Sequence, residues 1–114
     1  MSFNLYVDDI RSAPTGWVLA RTIKESINYL KTGNVDCLSL DHDLGSKQTG
    51  MDIVNYCIDK QIFPNRIEIH SKNPVGKQNM IAMLLRYGPY RRRTLAPILT
   101  KDVSLWADLS RERR

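Results

Sequence analysis

Apolar residues along this chain fall into two alternating rhythms, short continuous runs and longer stretches with a three-to-four-residue repeat, and the alternation predicts an α/β protein. Phe3–Val7 reads as a first strand and residues 17–20 as a second, after a Pro14-Thr15-Gly16 turn. Thr22 opens a helix, because Glu25 completes a reciprocal capping box; Ile23, Ile27 and Leu30 form its apolar face and Gly33 ends it. Val35–Leu40 is the third strand. Thr49 caps a second helix with the stripe Ile53, Val54, Cys57 and Ile58, and after Pro64 residues 66–70 form a fourth strand. Asn73 followed by Pro74 starts a third helix, since Asn caps free amides and Pro is tolerated at the first helical position. Met80, Met83, Leu84 and Tyr87 supply its buried face, and Gly88-Pro89 stops it.

Past Pro89 the pattern predicts a strand over residues 94–99 and a short helix over 104–111 carrying Leu105, Trp106 and Leu109. The order β-β-α-β-α-β-α implies an α/β sandwich around a mainly parallel sheet. At 114 residues the chain suits one domain, with its motifs in residues 3–88 and a basic segment in 89–114. No apolar run is long enough to span a bilayer and no leader-like N-terminus is present, so a soluble cytoplasmic protein is expected. Cys37 in a central strand and Cys57 on a helix stripe read as reduced core residues.

Charge is unevenly placed. Residues 89–114 carry 7 Lys/Arg against 3 Asp/Glu and so supply +4 of the net +5. Arg91, Arg92 and Arg93 read either as a solvated tail or as an attractor of a polyanion such as a nucleotide. No recognition-helix or zinc-finger pattern accompanies them, which excludes sequence-specific nucleic-acid binding from the expectations.

Three strings stand at strand ends: Val7-Asp8-Asp9-Ile10-Arg11, Leu40-Asp41-His42-Asp43-Leu44-Gly45 and Ile69-His70-Ser71-Lys72-Asn73-Pro74. In an open α/β sheet the carboxyl ends of parallel strands share one edge, and ligands bind in the crevice outside it. Asp8, Asp9, Asp41 and Asp43 therefore converge in expectation. Aspartates serve as turn caps, but two pairs at the ends of two apolar strands favour a site for a hard divalent cation, Mg2+ or Mn2+. His70 closes an apolar strand and suits a general acid or base; His42, between two aspartates, suits a ligand, a base or an outward structural position. Ser71, Lys72 and Asn73, at a capped helix start, have the features of a phosphate cradle, and Arg11 adds a second countercharge.

Taken together, Leu5-Tyr6-Val7-Asp8-Asp9-Ile10-Arg11, Gly16-Trp17, Leu38-Ser39-Leu40-Asp41-His42-Asp43-Leu44-Gly45 and His70-Ser71-Lys72-Asn73-Pro74-Val75-Gly76 resemble the cyclic-phosphate processing receiver domains, divergent relatives of response-regulator receivers. The resemblance covers residues 3–88 and implies a flavodoxin-like, receiver-type three-layer sandwich. It also implies processing of cyclic nucleotides or related cyclic phosphates, in bacteria and their phages. By position, Asp8 and Asp9 match the acidic pair of receivers, Asp41 the phosphoacceptor and Ser71 the hydroxyl after the fourth strand. Two departures are visible. The first receiver helix is replaced by a turn over residues 12–16, and no Lys-Pro pair follows a fifth strand, Lys101 lying where no strand end is expected. The expected function is hydrolysis of a cyclic phosphodiester, with His70, Asp41 and His42 as catalytic groups. Sequestration of a cyclic nucleotide without turnover, or a receiver switch phosphorylated on Asp41, are the alternatives.

Overall fold

The computed structural model describes residues 1–45 and 47–105. Six strands and three α-helices follow in the order β1 (Phe3–Val7), β2 (Val18–Ala20), α1 (Ile23–Leu30), β3 (Val35–Leu40), α2 (Gly50–Lys60), β4 (Arg66–Ile69), α3 (Pro74–Tyr87), β5 (Tyr90–Arg91) and β6 (Ile98–Lys101). The sheet order is β2-β1-β3-β4-β6-β5, with β2, β1, β3 and β4 mutually parallel and β6 antiparallel to both neighbours. This is the α/β, receiver-like architecture expected from the sequence.

Local chemistry sets the element boundaries. The Thr22 hydroxyl accepts the Glu25 amide at 3.1 Å and caps α1, while Asn73 Oδ1 accepts the Gly76 amide at 2.9 Å and caps α3. Gly33, with φ +73°, provides the left-handed turn after α1.

The connections β2→β3, β3→β4 and β4→β5 all step across the sheet in one direction. Right-handed crossovers therefore place α1, α2 and α3 on one face, where α1 packs on α2 and α2 on α3. Beneath them Leu5, Val7, Leu38, Leu40, Ile67 and Leu99 are fully buried in one continuous core. Alternation turns Tyr6, Ser39 and Glu68, which stand side by side in the register, to the opposite face. Among the described residues no helix covers that face, so of the three expected layers the sheet and one helical layer are seen there. The link from β1 to β2, which in a three-layer receiver carries a helix, is here the irregular stretch after Val7, closed by the Trp17 amide donating to Pro14 O.

After α3 the chain departs from the expected pattern. The sequence pattern predicts a strand over residues 94–99, whereas the extended pieces are Tyr90–Arg91 and Ile98–Lys101. Pro97 has no amide to give a ladder; its carbonyl instead accepts the Ile69 amide at 2.9 Å, and regular pairing with β4 starts at the next residue. Val103–Leu105 forms a short 3₁₀ turn, and the rest of the helix predicted over 104–111 lies outside the described residues. Cys37 and Cys57 are buried free thiols, as expected. No helix among the described residues is long and apolar enough to cross a membrane.

Candidate functional site

Backbone ladders that run one residue past the named strands fix the site. The Asp8 amide donates to Ala20 O (3.1 Å), the Asp41 amide to Val7 O (3.1 Å) and the His70 amide to Leu40 O (2.9 Å). Three residues far apart in sequence are thereby held at one sheet edge. One ligand atom from each of Asp8, Asp41 and His70 lies within 4.8 Å of the other two.

Asp8 is the hub of this edge and is 1% exposed. Its Oδ1 accepts the amides of Ile10 (2.8 Å) and Arg11 (2.7 Å), and its Oδ2 lies 3.0 Å from His70 Nε2. Burial pushes the Asp8 carboxyl up, but the two amides and His70 outweigh it and hold it below the ordinary aspartate value. A carboxylate only accepts, so Nε2 carries the imidazole proton. His70 Nδ1 lies 2.7 Å from the buried Ser39 hydroxyl, and the ring stacks on Tyr6 with centroids 4.3 Å apart and planes 5° apart. Burial lowers the His70 pKa, Asp8 offsets this only in part, and the imidazole is neutral at neutral pH.

In front of Asp8 opens a cleft of about 430 Å³. Its walls carry four carboxylates, Asp8, Asp9, Asp41 and Asp43, and two cations, Arg11 and Lys72. Arg11 Nη1 reaches His70 O at 3.2 Å, and Arg21 Nη1 holds the same loop from behind, donating to Arg11 O (2.8 Å) and Asp8 O (3.3 Å). Cations and carboxylates thus share one small cleft.

Other candidates lie beside the cleft and do not line it. His42 Nδ1 lies 2.9 Å from Asp43 Oδ1, an interaction that lowers the Asp43 pKa, and the ring packs against Gly76 at the start of α3. The Asn73 side chain caps α3 and its Nδ2 lies 3.3 Å from His42 Nδ1, while Ser71 Oγ accepts the Asn73 amide at 3.0 Å. Of the expected cradle residues Ser71, Lys72 and Asn73, then, Lys72 alone reaches the cleft wall.

Lys101 does end a strand, contrary to expectation, but an antiparallel one. It consequently sits at the opposite edge of the sheet, where Nζ donates to Phe63 O at 3.2 Å. In the basic segment Arg91 pairs with Asp102 (2.8 Å) and Arg92 donates to the carbonyls of Thr94 and Leu95; neither they nor Arg93 line the cleft.

The donor set fits a hard cation through its carboxylates. Asp41 carries no side-chain bond that competes for its oxygens among the described contacts, and Asp8 Oδ2 retains a free lone pair beside His70. His70 fits poorly as a third ligand, because one ring nitrogen bears the proton given to Asp8 and the other faces Ser39.

Ser39, Tyr6 and Arg21 were not singled out in the sequence. Ser39 and Tyr6 stand there only within strand runs, and it is the register of the folded sheet, Tyr6 opposite Ser39, that puts both on the face that receives His70. No curated protein and no solved structure matches the chain significantly. The sequence signature of the cyclic-phosphate processing receiver domain, in contrast, matches residues 3–86, the stretch that holds every cleft-lining residue. The chain belongs to the cyclic-phosphate processing receiver domain family.

Proposed function

We propose that the protein hydrolyses a phosphodiester bond within a cyclic nucleotide or a related cyclic phosphate. The observation that carries this reading is the meeting of Arg11 and Lys72 with Asp8, Asp9, Asp41 and Asp43 in one cleft. Cations alone serve to bind an anion, and carboxylates added to such a site repel it unless they hold a metal or handle protons and hydroxyls.

In the proposed reaction water adds to phosphorus and one ring P–O bond breaks. The attacking water gives up one proton, the departing oxygen takes one up, and a linear phosphomonoester is left. Arg11 and Lys72 counter the charge on the phosphoryl oxygens. Asp9 and Asp43, at the cleft wall, accept hydrogen bonds from water or from ligand hydroxyls. Asp8 and Asp41 are the residues suited to Mg2+ or Mn2+, which when bound supplies countercharge and lowers the pKa of water. His70 stands behind Asp8 and fixes the orientation of its carboxylate. His42 acts through Asp43 in the same way.

Incubation of the protein with a panel of cyclic mono- and dinucleotides and terminal cyclic phosphates, with and without Mg2+, tests the reading by chromatography after denaturation. We expect a linear phosphate from one class of ligand and a loss of about 10²-fold or more in Asp41→Asn. Stoichiometric recovery of intact ligand across the panel would replace hydrolysis by sequestration.

A further inference from the structure

We propose that Ser39 is a positioning residue of the cleft. By donating its hydroxyl proton to His70 Nδ1 it locks the imidazole in the one flip that presents Nε2–H to Asp8 Oδ2, and so aims the Asp8 carboxylate. The proposal rests on the reading of Asp8 as a ligand-facing group.

The argument is geometric. A histidine ring confined to a plane still has two orientations, related by a half-turn about Cβ–Cγ, that exchange its nitrogens with its carbons. Tyr6 fixes the plane, since the rings are 5° from parallel at 4.3 Å, but a stack of this kind accepts either flip. Only polar contacts choose between them. With the observed flip, Nε2 is 3.0 Å from Asp8 Oδ2 and Nδ1 is 2.7 Å from Ser39 Oγ. The other flip would set C–H groups against both oxygens. Because Nε2 must carry the proton toward a carboxylate, Nδ1 is the acceptor and the serine hydroxyl the donor. Ser39 is 3% exposed, so water has little access to replace it.

Ser39, His70 and Asp8 reproduce the order of contacts in a hydrolytic serine triad. The serine is nevertheless no nucleophile, being buried in β3 and absent from the cleft wall. Its influence travels the other way, through the ring to the carboxylate. His70 matches the outer partner of a metal ligand, whose loss typically weakens metal binding by about 10–100-fold, and Ser39 acts one contact further out.

The test uses the full chain, ¹⁵N-labelled, at about pH 8, above the ordinary histidine range. Two-bond imidazole correlations, with His42 assigned through His42→Gln, report where the His70 proton resides, and calorimetric titration with Mn2+ alone reports the carboxylates. In the wild type we expect a protonated, slowly exchanging Nε2 and a bare Nδ1. Ser39→Ala should lose the slow exchange and bind Mn2+ about 10-fold more weakly, the lower end of that range. Ser39→Thr, which keeps the hydroxyl, should retain both properties. If Ser39→Ala does not fold, Ser39→Cys, a far weaker donor, should show the same losses.

A wild-type proton on Nδ1 overturns the proposal without any variant. So does a Ser39→Ala protein indistinguishable from wild type. Lost exchange protection with unchanged Mn2+ affinity overturns the claim that Ser39 aims Asp8. Should the wild type take up no Mn2+, the metal reading of Asp8 fails, and the imidazole measurements still decide whether Ser39 sets the ring.

Discussion

Two glycines and one histidine govern how closely the loops pack at the sheet edge. A Cβ on Gly76 would overlap the His42 ring, and one on Gly50 would strike the Asp41 carbonyl oxygen. Gly76→Ala should therefore push His42 away from Asp43 and cost about 1–3 kcal/mol, measured as a shift in the urea midpoint. Retention of wild-type stability would show that His42 gives way freely. His70 supplies a second prediction, in acid. Its folded pKa lies below the ordinary 6.5, so the unfolded chain binds the proton first. Stability present above about 6.5 is then lost as pH falls toward the folded value. Asp8 acts in the same sense at lower pH, because its depressed carboxyl contributes stability above about 3.8 that disappears as pH falls through the folded value. In metal-free buffer the urea midpoint should drop between pH 8 and pH 5, and His70→Gln should flatten that drop. An undiminished drop in the variant would assign it to other groups.

Among the elements, the start of α3 packs beside the cleft loops, and the β5–β6 pair closes one edge of the sheet. Asn73 both caps α3 and touches His42, so Asn73→Ala should lower stability by about 1 kcal/mol in chemical denaturation and loosen the His42–Asp43 contact. A change well under 0.5 kcal/mol would mean that water caps the helix equally well. On the far side, the buried Tyr90 hydroxyl donates to Pro64 O at 2.6 Å and ties β5 to the entry of β4. Burial drives its pKa far up, so it stays a donor at any working pH. The reversal of β6 matters for chemistry as well as packing. A parallel strand in that place would have delivered its last residue to the cleft edge; the antiparallel one sends Lys101 to the other end. Cationic character at the cleft comes instead from the loops after β1 and β4, as Arg11 and Lys72.

Across the whole molecule, the cleft joins loops from three strands, so a bound ion or ligand cross-links them. Binding to the folded state alone stabilises it by RT ln(1 + [L]/Kd), about 2.7 kcal/mol at a hundredfold excess over Kd. Millimolar Mg2+ or Mn2+ should accordingly raise Tm, and Asp41→Asn should remove most of the rise while leaving the metal-free melt close to wild type. An unchanged wild-type melt with either ion would count against Asp8 and Asp41 as its holders. Of the basic residues in 89–114, the described Arg91, Arg92, Arg93 and Lys101 lie outside the cleft lining, and Arg91 and Arg92 are engaged locally. Neutralising Arg91 should therefore affect ligand affinity far less than Lys72→Ala, a difference that a binding titration at low salt would read directly.

Strand runs, helix stripes and caps were legible in the chain because they depend on neighbours within a few residues: Thr22 with Glu25, Asn73 with Gly76, and the apolar runs of β1 and β3. The three strings at strand ends were legible for a related reason, since parallel strands must share an edge, and their joint pattern also carried the family resemblance. Pairing partners after α3 were not, because nothing local to residues 90–101 states which way β6 runs. Neither were the roles of Ser39, Tyr6 and Arg21. A serine and a tyrosine in a strand acquire meaning only when register sets them side by side and a third strand lays His70 across them. The chain's local order thus prescribed which groups reach the sheet edge. Long-range pairing and burial decided which of them face the cleft, and which stand behind it and hold the others in place.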